Sequence, residues 1–145
     1  LKLNFIDYSK KIIENAKILA ESFNEKGYNL ISGGTDTHIL LIDLTSKGIS
    51  GKKAERILEE AGITINKNMI PFDEKSPMIT SGIRIGTPAL TTRGMGANEM
   101  QLISNLIDSI LSNPEKEKNI QIVKSEVSNL CKSFPLYHEV HNEMQ

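Results

Sequence analysis

Apolar residues recur along the chain at helical spacing, then at strand spacing, then at helical spacing again. Ile6, Ile13, Ala16, Ala20 and Phe23 fall at steps that put them on one helix face, predicting a helix over Asp7–Lys26 that Gly27 closes. Tyr28–Ile31 reads as a strand, "SGGTDT" (32–37) as turn residues, and "HILLIDL" (38–44) as a second strand. The near-continuous apolar run of that second strand predicts burial on both faces. Two strands joined by about six turn residues are most simply an antiparallel pair. Ser50 is placed to cap a helix through Ala61, with Ala54, Ile57, Leu58 and Ala61 on one face and Gly62 at its end. Ile63–Asn66 is a short strand, Lys67–Lys75 is irregular, and Ile79–Gly86 is a further strand closed by Pro88. Asn98 and Gln101 have the spacing of a capping box. They precede a helix carrying Leu102, Ile103, Leu106, Ile107, Ile110 and Leu111, stopped at Asn113-Pro114. Ile120, Val123, Val127, Leu130 and Phe134 stripe a last helix that ends at Pro135.

The order α-β-β-α-β-β-α-α predicts a two-layer α+β domain, a small mainly antiparallel sheet with helices on one face. The 145 residues are expected to form a single domain (1–145), with no internal repeat and a frayed tail over 138–145. Hydrophobic residues make up 39% and charged residues 24%, so a chain of this length can build a core without a disulfide or a structural metal. A net charge of −1 and a pI near 6.4 give no reason to expect a nucleic-acid partner or an anionic membrane. No apolar run is long enough to span a bilayer, and no signal peptide is visible. The lone Cys131 fits a reducing, cytoplasmic setting and reads as a buried small hydrophobe rather than a reactive thiol. The chain starts at Leu1 without methionine, so a segment of a longer polypeptide is expected, the alternative being a processed N-terminus.

Candidate chemistry centres on "SGIRIGTP" (81–88). Alternation along the strand puts Ile79, Ser81, Ile83 and Ile85 on one face, and Thr80, Gly82, Arg84 and Gly86 on the other. Arg84 thus stands between two positions without side chains. Glycine inside a strand often marks the close approach of a ligand or another backbone. The guanidinium is a planar fork suited to carboxylate or phosphate. An ion pair with an acid of this chain accounts for Arg84 equally well. His38, near Asp36, reads as a structural residue rather than a catalyst. Thr91-Thr92-Arg93-Gly94 could present N–H groups to an anion, or simply lead into a helix. His138 and His141 have metal-ligand spacing, but in a tail expected to fray they are not expected to hold a metal. No Walker or Rossmann glycine loop and no Ser/His/Asp order is present.

The blocks "ISGGTDTHILLIDL" and "GITINKNMIPFDEKSPMITSGIRIGTPALTTRG" are similar to the C-terminal small domain of serine hydroxymethyltransferase, and the likeness runs from about Tyr8 to Tyr137. The resemblance implies a pyridoxal-phosphate enzyme of the aspartate-aminotransferase fold type. Such an enzyme is a transferase of one-carbon metabolism and glycine biosynthesis. It reversibly converts serine and tetrahydrofolate to glycine and 5,10-methylenetetrahydrofolate, typically as a homodimer in the cytoplasm. Under the same resemblance Arg84 binds the α-carboxylate of serine or glycine, while Asn68, Ser76, Pro77 and Met78 approach the folate pterin. Met78 stands where the family more often has phenylalanine. The family's cofactor-binding lysine follows a run of threonines and a histidine, and no such run occurs here. No catalytic, cofactor-binding or metal-binding residue is therefore expected in this segment, which should be inactive by itself. The competing expectation is a stand-alone, non-catalytic α+β ligand-binding or interaction module of the same fold.

Overall fold

The computed structural model describes residues 4–136. Helix α1 (Phe5–Glu25) opens with the Asn4 side chain accepting the Ile6 N–H at 3.4 Å, and the chain leaves it through Gly27 at φ +77°. Strands β1 (Asn29–Leu30) and β2 (Ile39–Asp43) follow, then α2 (Gly51–Glu60), β3 (Asn66–Asn68), β4 (Gly82–Gly86), the short α3 (Pro88–Thr92), α4 (Ala97–Leu111) and α5 (Glu117–Ser133). The sheet order is β1-β2-β4-β3, and every pairing is antiparallel. This is the two-layer α+β architecture that the apolar pattern predicts. Among the described residues no helix is long and apolar enough to cross a membrane.

One sheet face carries the core. Leu40, Ile42 and Ile83 are fully buried and Ile85 nearly so, packed with Leu19 and Phe23 of α1, Ile57 and Leu58 of α2, and Met100 and Ile107 of α4. Each such side chain contributes about 1.5–3 kcal/mol relative to exposure. The other residues of β2, Ile39, Leu41 and Asp43, are only half-buried. The expectation of burial on both faces therefore fails, because no layer among the described residues covers the second face. α5 is seated less deeply than its stripe predicts. Ile120 and Val123 are buried, but Val127, Leu130 and Phe134 pack against the core only partly, and Cys131 is half-buried.

Several element limits shift for identifiable reasons. β3 starts at Asn66 rather than Ile63 and takes Lys67 and Asn68 out of the segment expected to be irregular, because these residues pair with Ile83 and Gly82. The outward N–H of Lys67, on the sheet edge, is taken by the Glu55 carboxylate at 3.0 Å. β4 starts only at Gly82, since Thr80 has φ +59° and breaks the extended run. Instead the carbonyls of Thr80 and Ile79 accept the N–H groups of Gly51 and Lys52, at 3.0 and 2.9 Å, capping the N-terminus of α2 with Ser50. α4 begins two residues before the expected Asn98–Gln101 box. Met95 is buried, Gly96 is the cap, and Glu99 Oε2 accepts the Gly96 N–H at 2.8 Å. Burial of Met95 sets where the chain turns into the helix, ahead of the local capping preference.

The four residues expected as a connection include a helix end. Pro88 at the first helical position starts α3. Thr91 accepts from the buried Asn15 side chain at 3.0 Å and donates to the Thr87 carbonyl, while Thr92 Oγ1 lies 2.7 Å from the Tyr8 hydroxyl. Arg93 donates from Nε to the Phe134 carbonyl at 2.7 Å and from Nη2 to the Cys131 carbonyl at 3.2 Å, satisfying the carbonyl end of α5. The segment fastens helices together, and its side chains are engaged internally.

Candidate functional site

The uncovered sheet face holds the candidate site. Cross-strand partners in an antiparallel sheet share a face, so register defines its rows. Leu41, Arg84 and Asn66 form the middle row, with Asp43, Gly82 and Asn68 on one side and Ile39 and Gly86 on the other. Alternation holds from Gly82 onward: Ile83 and Ile85 are buried, and Arg84 is exposed. Among the described residues Arg84 takes part in no salt bridge and no side-chain hydrogen bond. The internal ion pair that would account for it is not formed there. The guanidinium is solvated and presents its fork to the open side.

The two glycines beside Arg84 differ. A Cβ on Gly82 would lie 2.6 Å from Ile70 Cγ2, 2.9 Å from the Ile42 carbonyl oxygen and 3.0 Å from that of Asn68. Gly82 therefore makes room for this chain's own Ile70 rather than for a ligand, correcting the simplest reading of that glycine. A Cβ on Gly86 would meet nothing closer than 3.6 Å. Only that side is uncrowded.

Ile70 belongs to the loop between β3 and β4, which bends back over the Gly82 end of the face. Asp73 organises this loop. Its carboxylate accepts the N–H groups of Ile70, Lys75 and Ser81, at 3.2, 3.0 and 2.8 Å, and the Ser81 hydroxyl at 2.7 Å. The Ser76 carbonyl accepts the N–H groups of Ile79 and Thr80, both at 2.9 Å. Ser76, Pro77 and Met78 are thereby held as an exposed turn, and Asn68 sits in the row beside Arg84 with its amide donating to the Met69 carbonyl at 2.8 Å. Asn68 lies on the strand paired with β4, and the loop carries Ser76, Pro77 and Met78 to the residues that lead into β4. Asp73 is not among the sequence-based candidates, although an aspartate between two prolines, with a free N–H two residues on, is the pattern of an Asx turn.

Burial opposes the charge of Asp73, but the hydrogen bonds from Ser81, Lys75 and Ile70 outweigh it and hold the carboxyl well below the usual range. Asp43 is also lowered: burial opposes, and Thr45 and Asn29 donate to the carboxylate. A lowered carboxyl binds its proton more readily in the unfolded chain, so its stabilisation is complete above the unfolded value near 3.9 and is lost as pH falls toward the folded one. Asp73→Asn is expected to flatten the acid side of the stability profile below about pH 4. It should also raise amide exchange at Ile70, Lys75 and Ser81 at neutral pH. Unchanged protection at those three amides would remove Asp73 from this role.

The remaining candidates lie away from this face or outside the description. His38 is exposed at the head of β2, where its carbonyl accepts the Thr87 N–H at 3.1 Å; Asp36 pairs with Lys17 at 3.9 Å, fully exposed. His138 and His141, with the tail expected to fray, lie outside the described residues. Among the described residues no group of three His, Cys, Asp or Glu side chains could hold a metal.

The fold and the open face define a two-layer α+β domain that presents one arginine fork for an anion beside a loop with exposed apolar side chains. The sequence model of the family described as serine hydroxymethyltransferase matches residues 1–107, which include the whole face and loop. The chain belongs to the serine hydroxymethyltransferase family, whose enzymes are pyridoxal-phosphate-dependent transferases. The open face itself does not fit that cofactor. Its rows carry one arginine, four carboxamide or carboxylate side chains (Asn29, Asp43, Asn66 and Asn68) and apolar residues, with no lysine to bind an aldehyde. The nearest strand lysine, Lys67, turns to the helix side and pairs with Glu55 at 3.3 Å.

Proposed function

We propose that this chain is the C-terminal small domain of a serine hydroxymethyltransferase and supplies the amino-acid carboxylate arm of the site. The complete enzyme would convert serine and tetrahydrofolate reversibly to glycine and 5,10-methylenetetrahydrofolate. It would act as a cytoplasmic homodimer in one-carbon metabolism and glycine biosynthesis, with pyridoxal phosphate held by its other domain. Arg84 clamps the α-carboxylate of serine or glycine through two parallel hydrogen bonds, which fixes how the amino acid is presented for reaction. Asn68 and the Ser76-Pro77-Met78 turn form a wall for the pterin, with the Met78 thioether giving apolar contact in place of an aromatic ring.

The observation that carries this reading is the exposed Arg84, paired with no acid and covered by no helix among the described residues. The segment is a substrate arm without a group to hold the cofactor. Mixing the 145-residue chain with pyridoxal phosphate, serine and tetrahydrofolate is expected to give no turnover and no lysine Schiff-base absorbance. Substantial turnover, or a stable Schiff-base band, would reject the inactive-segment reading.

A further inference from the structure

We propose that a cavity on the helix side of the sheet, away from the Arg84 guanidinium, binds a small monocarboxylate with an apolar body. The cavity has a volume of about 340 Å³ and lies between β4, α3, α4 and α5. Ile63, Ile85, Leu90, Ile107, Val127 and Cys131 are among its walls, and among the described residues Arg93 is the single charged one lining it. It exists because the second half of α5 stands off the core, with Val127, Leu130 and Cys131 only half-buried. An apolar hollow of this size, with one fixed polar group, has the make-up of a small-molecule site.

Arg93 decides the charge of the occupant. Its bonds to the Phe134 and Cys131 carbonyls fix the guanidinium at the wall and use Nε and Nη2. Nη1 has no hydrogen-bond partner among the described residues, so donors remain for an anion. Among the described residues no acid lines the cavity to compete for them. At about 340 Å³ the space lies at the small end of the range of small-molecule pockets. That suits an arylalkyl carboxylate such as phenylbutyrate. The proposal does not depend on how Arg84 is used.

The test is a methyl NMR titration of the full 145-residue chain with phenylbutyrate and, separately, with the neutral phenylbutanol. Phenylbutyrate is expected to shift the methyls of Ile63, Val127 and Leu130 with a dissociation constant of about a millimolar, as befits so small a ligand. The alcohol should bind at least about tenfold more weakly, because it cannot form the charge-assisted pair. Arg93→Gln should erase that difference. Val127→Trp, which fills the hollow without touching the Arg93 bonds, should abolish the shifts even if Arg93→Gln fails to fold. Four results would overturn the proposal: no shift up to the probe's solubility limit, equal binding of acid and alcohol, shifts that survive Val127→Trp, or shifts confined to Ile39 and Leu41 on the open face. A chain ending at Leu136 gives the last check. If the same methyls move on truncation alone, residues 137–145 are the occupant and the small-carboxylate site falls.

Discussion

Replacing Arg84 with alanine in the complete enzyme is expected to raise the serine KM and lower turnover while leaving the fold and cofactor attachment intact. Losing one partner of a desolvated, charge-assisted pair costs on the order of 2–5 kcal/mol, or roughly 30- to several-thousand-fold in kcat/KM. Stability should hardly change, because the guanidinium is exposed and bonded to no described residue of this chain. That separation makes the test informative, since an arginine serving an internal ion pair would lose stability first. Arg84→Lys keeps the charge but not the fork, and should fall between the two. Serine kinetics unchanged in Arg84→Ala would end the carboxylate assignment.

Gly51→Ala is expected to give the largest stability loss of the glycine-to-alanine changes in this fold. Alanine in a helix is ordinarily about 1 kcal/mol better than glycine. Here a Cβ would overlap Thr80 Oγ1 and the Gly82 carbonyl oxygen. The N-terminus of α2 would have to back away from the 79–82 segment, and the Gly51 and Lys52 N–H bonds to Thr80 and Ile79 would stretch with it. Overpacking costs about 1–3 kcal/mol and a lost hydrogen bond about 1 more, so roughly 2–4 kcal/mol is expected. For a domain of this size that lowers Tm by about 5–15 °C. Gly34→Ala is the control. Its φ of 170° is ordinary extended backbone and nothing lies within 4 Å of a Cβ, so its Tm should match the parent chain. A Gly51→Ala melt at the parent temperature would show that the α2 contact is looser than described.

The consequence reaches the site. Thr80 to Gly82 leads directly into Arg84, and the same three residues receive both α2 and, through Ser81, the Asp73 carboxylate. The strand that presents the arginine is thus held from the helix side and from the loop side. A substitution at Gly51 should disturb substrate binding as well as melting, although it touches no substrate.

Elements that bury a regular stripe were legible from spacing alone. α1 and α2 fall within two residues of their expected limits, because their apolar periodicity and capping residues agree. The short pieces were not. β3 and the start of β4 depend on which residues find a partner across the sheet, and α3 depends on hydrogen bonds that tie Thr87, Thr91 and Thr92 to Ile12, Asn15 and Tyr8 of α1, distant in sequence. Local propensity carries little of that information, since the energy of a two- or three-residue element lies in its contacts. The loop was legible only as prolines and turn residues. That Asp73 gathers four donors required the folded chain.

The sequence by itself determined the layer architecture, the side of β4 on which Arg84 stands, and the family. These follow from alternation and periodicity, and from motif blocks that survive without coordinates. Tertiary structure alone decided what the neighbouring glycines are for. Gly82 is filled from above by Ile70 and Gly86 is not, and pattern cannot tell a glycine that admits a ligand from one that admits its own chain. It also decided that Arg84 meets no internal acid among the described residues, because pairing depends on where side chains distant in sequence arrive. An arginine flanked by glycines was an ambiguous signal in one dimension. In three, the acids that could have neutralised it are engaged elsewhere: Asp43 with Asn29 and Thr45, Asp73 with the loop it holds together.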